Sequence, residues 1–340
     1  MKDLHDYSLL HHNTFNIDAR CRRFIEYENV EEAQYICKNL SADDQPLMMI
    51  GGGSNLLLTA DFNGTVLHSA IKGIEVMSDN EDEVKVRVGS GVVWDDFVAY
   101  AVDHNWHGLE NLSYIPGDVG ASAVQNIGAY GVEAKDYIYK VEAVDIQNAS
   151  RVTIDADTCN YSYRQSRFKQ EWRGRFLITH VVFRLSKTFI PKLDYGNIRA
   201  KLQEQGIERP DARQMRDTII DIRREKLPDP AVEGNAGSFF MNPVVSRSKY
   251  LELMALYPFM PHYEVDADSV KIPAGWMIEQ CGWKGRSLGN AGVHSKQALV
   301  LVNRGGATGN EVVELCNAIR HDVKEKFGID IHPEVNIIKK

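Results

Sequence analysis

Cysteine is scarce in this 340-residue chain: there are five, at 21, 37, 159, 281 and 316, and no two form a C-x-x-C pair. The count is odd and the spacings are wide, so neither a disulfide framework nor a zinc ribbon is supported, and a reducing cytosol fits best. No apolar run approaches the roughly 18 residues of a membrane span. The opening MKDLHDYSLLHHNTFNIDAR lacks the apolar centre of a signal peptide. A soluble cytoplasmic protein without a resident metal is expected. There is also no excess of positive charge. Against 39 Lys and Arg stand 47 Asp and Glu, a net charge of −8. That balance excludes the electrostatic footprint of a nucleic-acid or anionic-membrane binder. Any anionic ligand must therefore meet a local basic cluster.

With 44% hydrophobic and 25% charged residues, the chain can bury about three quarters of its unfolded surface, enough for roughly two domains or three small ones. The patterning predicts an α+β protein. Asn29 and Glu32 have capping-box spacing ahead of a helix, and Leu47 to Ile50 enters Gly51-Gly52-Gly53-Ser54-Asn55 like a strand ending in a turn. Val84, Val86 and Val88 alternate as in a strand, followed by a helix with Trp94, Phe97, Val98, Ala101 and Val102 on one face. Residues 141–146 and 176–183 read as buried strands. A helix over about 211–225 turns Met215, Ile219 and Ile222 inward, and Pro228-Asp229-Pro230 ends it. Beyond that boundary, 246–256 and 308–327 read as helices and 298–302 as a strand. A last strand runs over 329–337, with Glu334 on the face opposite the packed one.

GGGSN at 51–55 is neither a G-x-G-x-x-G nor a Walker A motif. Its glycines permit close backbone approach and a nest of N–H donors for anionic oxygens, although an ordinary tight turn remains open. On the nest reading, Gly53→Val gives a folded protein without its cofactor. The run Tyr114 to Gly131 interleaves glycines with apolar and hydroxyl residues and suits a backbone laid against a large flat ligand; a long structural loop is the alternative. Residues 160–169, NYSYRQSRFK, are basic and aromatic. Arg223, Arg224 and Lys226 are candidates to meet a diphosphate or, equally, to form a solvated helix face. In Gly234-Asn-Ala-Gly-Ser238-Phe-Phe the serine is not a hydrolase nucleophile, because the glycine expected two residues later is missing.

Taken together, GGGSNLLL, PG-x-x-G-x(5)-NIGAYG, YSYRQSRFK, LDYG, KLPDP, GNAGSFFMNPV, AGWMIEQCGWKG and HPEV stand in the order and spacing of the UDP-N-acetylenolpyruvoylglucosamine reductase (UDP-N-acetylmuramate dehydrogenase) family. The chain resembles that family over nearly its whole length, in the subtype with a tyrosine-bearing insertion, here Asp194-Tyr195-Gly196. It departs at Ala121-Ser122, where many members have a further glycine. The resemblance implies a vanillyl-alcohol-oxidase-like (PCMH-type) FAD-binding fold of two subdomains, 1–70 and 71–227, and a UDP-sugar domain, 228–328, with 329–340 returning near the active site. It implies a monomeric enzyme that uses FAD and NADPH to reduce UDP-N-acetylglucosamine enolpyruvate to UDP-N-acetylmuramate. The catalytic residues it carries over are Arg164 (substrate carboxylate), Glu334 (enolic form) and Ser238 (proton donor). For FAD it implies Gly51, Gly52, Gly53, Ser54, Asn55, Pro116, Gly117, Gly120, Ser122, Asn126, Ile127, Gly128, Tyr130 and Gly131. For the sugar nucleotide it implies Tyr195, Lys226, Asn242 and Gln297. An FAD oxidase of the same fold acting on another substrate is the runner-up, and a non-catalytic nucleotide-binding regulator a further alternative.

Overall fold

The computed structural model describes residues 1–339. They divide into two compact units: Met1–Tyr7, Cys21–Gly52 and Asn63–Glu225 form the first, and Ser8–Arg20, Gly53–Phe62 and the chain from Lys226 onward form the second. Residues 8–20 and 53–62 thus group with the C-terminal part, although both lie far ahead of it in sequence. Backbone hydrogen bonds are the reason: Leu56–Leu58 pairs in parallel with Asn336–Ile338.

The first unit centres on an antiparallel sheet in the order Arg151–Asp155, Ile138–Asp145, Phe176–Ser186, Glu83–Gly89, Ile74–Asp79. Its middle strand, FLITHVVFRLS, is buried along nearly its whole length because both faces are covered. Leu177 joins Ile25, Ala33, Ile36 and Leu67 on one side. Ile178, Val181, Phe183 and Leu185 join Trp94, Phe97 and Val98 on the other. The neighbouring strand keeps strict alternation, with Val84, Val86 and Val88 fully buried. A second sheet, ordered Lys2–Ser8, Arg20–Tyr27, Phe62–Ser69, Leu47–Ile50, holds its last two strands parallel. The helix Val30–Asn39 is capped by Asn29, which accepts the Glu32 N–H at 2.8 Å. Met215, Ile219 and Ile222 of the helix Ala212–Lys226 pack on Ile198 and Leu202.

The glycine-rich run 116–131 is more regular than the sequence suggests. It contains the helix Val119–Gln125 and a hairpin that pairs Gly128-Ala129 with Val132-Glu133. Small side chains let this helix press on the sheet, where a Cβ at Gly120 would lie 2.8 Å from Ser90 Cβ. The hairpin closes through Tyr130 and Gly131, with φ of 49° and 78°. Two successive positive φ values match the twist of the flanking strands.

In the second unit, Gly234–Ser238, Val300–Asn303, Ala291–Val293 and Ser287–Leu288 form an antiparallel sheet. The helix Gly309–Phe327 starts in a Thr308/Glu311 capping box and ends at Gly328, φ 67°. The expected strand over 329–337 needs correction. Ile329, Ile331 and Val335 are buried, but the only regular strand here is Asn336–Ile338. Pro333 has no N–H to extend a ladder and makes a single bridge with Phe240.

Candidate active site

In the first unit, the strand Leu47–Ile50 delivers Gly51 and Gly52 against the second glycine run. A Cβ on Gly51 would lie 3.1 Å from Asp118 Oδ2 and 3.3 Å from Ala121 Cβ, and one on Gly52 would lie 3.2 Å from Gly117 Cα. Two stretches of bare backbone therefore face each other, with Gly52 and Pro116 exposed beside them. Such a cradle fits the FAD that the resemblance implies, because a flat or anionic group can reach main-chain atoms there. Asp118 at its edge is pushed up to about 6 by burial, with Lys72 opposing the shift.

Other residues of the run support it internally. The buried Ser122 donates its hydroxyl to Val119 O (2.7 Å). Asn126, at φ 43°, donates to Glu133 Oε2 and Ser162 O, both at 2.8 Å, and accepts the Lys135 N–H at 3.0 Å. Ile127 O takes the Ala134 N–H at 2.8 Å. With its amide engaged in this way, Asn126 shapes the loop and joins it to the YSYR segment.

That segment turns back at once: Ser162 and Gln165 exchange backbone hydrogen bonds of 3.1 and 3.0 Å, leaving Tyr163 and Arg164 at the tip. Arg164 has φ 58°, and its Nη2 donates to Gly128 O at 2.8 Å. Its neighbour is Arg223, whose Nε donates to Tyr114 O at 3.1 Å and whose charge bears on the Tyr130 phenol. Burial, with the Arg164 charge adding to it, pulls Arg223 below the usual guanidinium range. Two guanidinium groups whose charges act on each other favour an anion beside them. Tyr195 completes the group. Its ring meets that of Tyr130 edge-on, centroids 6.5 Å apart, and a Cβ on Gly131 would lie 3.4 Å from its own Cβ. Sequence alone left Arg223 as one of three adjacent cations; only the packed helix distinguishes it from the exposed Arg224 and Lys226.

In the second unit, Gly53 has φ 64°, and a Cβ there would lie 2.0 Å from the His12 carbonyl oxygen. Ser54 and Asn55 lead on to the strand Leu56–Leu58, and Asn55 O accepts from both the backbone N–H and Nδ2 of Asn336, each at 3.2 Å. Glu334 is therefore held near this turn, and its N–H donates to Phe239 O at 2.8 Å. Phe239 follows Ser238, so the serine and the glutamate lie on adjoining backbone segments. A bulge precedes Ser238: the pairing jumps from Asn235–Val302 to Ser238–Val300, with Gly237 at φ 67°. Bulges of this kind re-aim the side chain that follows. Asn242 Oδ1 accepts the Ala274 N–H (2.9 Å) at the start of the helix Ala274–Gln280. Gln297 flanks the same turn, its Oε1 3.2 Å from where a Gly275 Cβ would sit.

The fold and its glycine cradle define the class: a protein with the vanillyl-alcohol-oxidase-like FAD-binding fold. Residues 22–155 match the FAD binding domain family, and 229–338 match the C-terminal domain of UDP-N-acetylenolpyruvoylglucosamine reductase. The UDP-N-acetylenolpyruvoylglucosamine reductase of Bacteroides fragilis is 57% identical over 332 residues, 98% of this chain and 99% of that protein. The crystal structure of the reductase from Thermus caldophilus superposes with a TM-score of 0.67 at 20% identity, covering 99% of this chain and 98% of that one. That of p-cresol methylhydroxylase gives 0.50 at 12% identity over 93% and 82%. The chain belongs to the UDP-N-acetylenolpyruvoylglucosamine reductase family.

Proposed function

We propose that Arg164, Ser238 and Glu334 carry the chemistry of the family reaction in this chain. The enzyme reduces UDP-N-acetylglucosamine enolpyruvate to UDP-N-acetylmuramate with NADPH, a step of peptidoglycan precursor synthesis. The Gly51–Gly52 and Pro116–Gly117 backbones would hold FAD, which when bound would supply hydride-transfer chemistry between NADPH and the substrate. Hydride arrival builds negative charge on the carbon that bears the carboxylate, so the protein must hold an enolate-like dianion and then protonate it. Arg164 polarises the substrate carboxylate with paired donors on a permanently charged group. Glu334 holds the enolic form, and Ser238 gives the proton. The observation that supports this reading is the Phe239–Glu334 backbone bond, which joins the backbone segments that carry Ser238 and Glu334.

Tyr195 and Lys226 take the diphosphate in this reading, and Asn242 and Gln297 the remainder of the sugar nucleotide; the LDYG segment marks the tyrosine-loop subtype. Residues 1–70 and 71–227 form the FAD subdomains and 228–328 the substrate domain, with 329–340 returning to the site. We place the enzyme in the cytoplasm, as a monomer serving wall growth and hence cell shape and division. No helix among the described residues is long and apolar enough to cross a membrane. Anaerobic stopped-flow spectroscopy tests the roles. Ser238→Ala leaves flavin reduction by NADPH near normal and slows reoxidation by the enolpyruvyl substrate at least roughly hundredfold, the typical loss for a missing general acid. Reoxidation at the parental rate removes Ser238 from the mechanism.

A further inference from the structure

Between Ser186 and Ile198 the chain forms neither helix nor strand. Ile190 is 74% exposed and Tyr195 42%. A segment of this kind samples many positions unless it is fastened, and a tyrosine on it then loses the geometry needed to meet a ligand. Among the contacts that fasten it, one buried side chain makes two hydrogen bonds. Asn111 is 3% exposed, and its amide donates to Tyr130 O and to Lys192 O, each at 3.0 Å. An amide nitrogen has two hydrogens, and here both go to backbone carbonyls.

The two carbonyls belong to the two pieces that the site needs together. Tyr130 lies at the tip of the hairpin whose Gly128 carbonyl receives Arg164. Lys192 precedes Leu193, which packs on the core of Ile198 and Leu202, and lies three residues before Tyr195. Asn111 is itself rigidly mounted. In its turn, Glu110 takes His107 Nδ1 at 3.0 Å and the Gly108 N–H at 2.8 Å; Ser113 Oγ donates to Glu110 O at 2.6 Å, and Trp94 Nε1 to Leu112 O at 2.9 Å.

We propose that Asn111 is a positioning residue for the sugar-nucleotide site, tethering the segment that carries Tyr195 to the hairpin that holds Arg164. The proposal rests on the reading of Tyr195 as a substrate contact. Aspartate has the same shape but no donor, so Asn111→Asp loses both bonds. It should raise KM for the enolpyruvyl sugar nucleotide about tenfold while kcat falls less than threefold.

A double-mutant cycle decides whether the effect runs through Tyr195. In a Tyr195→Ala background, Asn111→Asp should add less than a twofold change in KM; independent, multiplying effects would overturn the proposal. Hydrogen exchange reads the tether directly. Amides 192–196 should exchange faster in Asn111→Asp, while those of Val84 to Val88 keep their protection. Unchanged exchange at 192–196 overturns the tether. Loss of protection throughout overturns it as well, because the residue is then structural. If Tyr195→Ala alone leaves KM unchanged, the substrate reading of Tyr195 fails and the positioning role fails with it, even where exchange shows the segment released.

Discussion

Gly52 and Gly53 are neighbours in sequence, yet the structure predicts opposite outcomes for the same substitution. A methyl at Gly53 would lie 2.0 Å from His12 O, 2.6 Å from His12 C and 2.8 Å from Asn13 Cα, with φ at 64°. A left-handed backbone costs an L-residue roughly 1–2 kcal/mol, and forcing an atom into occupied space adds about 1–3 kcal/mol. Gly53→Ala should therefore lose about 2–5 kcal/mol, roughly 3–7 °C in melting temperature for a protein of this size. The sequence-based expectation that Gly53→Val gives folded, cofactor-free protein is thus revised, since the obstacle at Gly53 is the protein's own backbone. At Gly52 the first contact of a Cβ is Gly117 Cα at 3.2 Å. A shift of a few tenths of an ångström absorbs it, but the methyl then stands in the cradle. Gly52→Ala should melt within about 3 °C of the parent, a ΔΔG near 1 kcal/mol, and purify with much less flavin. Circular dichroism melts and the flavin absorbance ratio read both. Parent-like melting of Gly53→Ala refutes the close approach to His12, and stoichiometric FAD in Gly52→Ala refutes the cradle.

Asp118 should make the flavin-free protein pH-sensitive. Its folded pKa is raised from 3.8 to about 6, so its stabilisation is fully present below pH 3.8 and is lost as pH rises through 6, at most about 3 kcal/mol. Asp118→Asn should melt progressively higher than the parent from pH 4 to pH 7, and a constant difference would sink the idea. Tyr195→Phe removes a hydroxyl from the diphosphate reading and should raise KM for the sugar nucleotide more than it slows flavin reduction; an unchanged KM counts against it. As the family resemblance implies, and consistent with the lack of a separate dinucleotide motif in the sequence, NADPH and the sugar nucleotide should alternate in one site, giving parallel initial-rate plots with inhibition by excess substrate, where intersecting plots would show a ternary complex.

Much of the frame was legible because it rests on periodicity. Val84, Val86 and Val88 and the Trp94–Val102 face are buried where the pattern puts them, since period 2 and period 3.6 are the means by which strands and helices bury one side. The glycine run at 116–131 was harder to read. Glycine signals permission rather than shape, and here the small residues serve helix packing at Gly120 and a hairpin tip at Gly131. The strand expected over 329–337 shows a different limit: alternation reports which face is buried, but ladder pairing needs N–H groups, and Pro333 has none. Asn111 gave no signal at all, because its role depends on two carbonyls that lie 19 and 81 residues away.

Backbone strain marks the candidate site independently of any motif. Asparagine tolerates a left-handed φ cheaply, and among the described residues four of the nine non-glycine positions with positive φ are asparagines. The bulky exceptions include Tyr114, Tyr130 and Arg164, at 60°, 49° and 58°. All three converge on Arg223: Tyr114 through its carbonyl, Tyr130 through its phenol, Arg164 through its charge. Each such residue costs on the order of 1–3 kcal/mol and persists only where its surroundings over-determine it. Random strain would be scattered, whereas this strain gathers around Arg223, on which the Arg164 charge also acts. Relieving it should separate those cations. At Tyr130, substitution by glycine removes the conformational cost while deleting the phenol, and Tyr130→Asn removes much of the same cost with a polar side chain retained. If strain alone mattered, both variants would be more stable than the parent and equally active. If the phenol and the Arg223–Arg164 pair matter, both should instead raise KM for the anionic substrate despite unchanged or higher melting temperatures. Parent-like KM in both would show that the convergence on Arg223 has no part in binding.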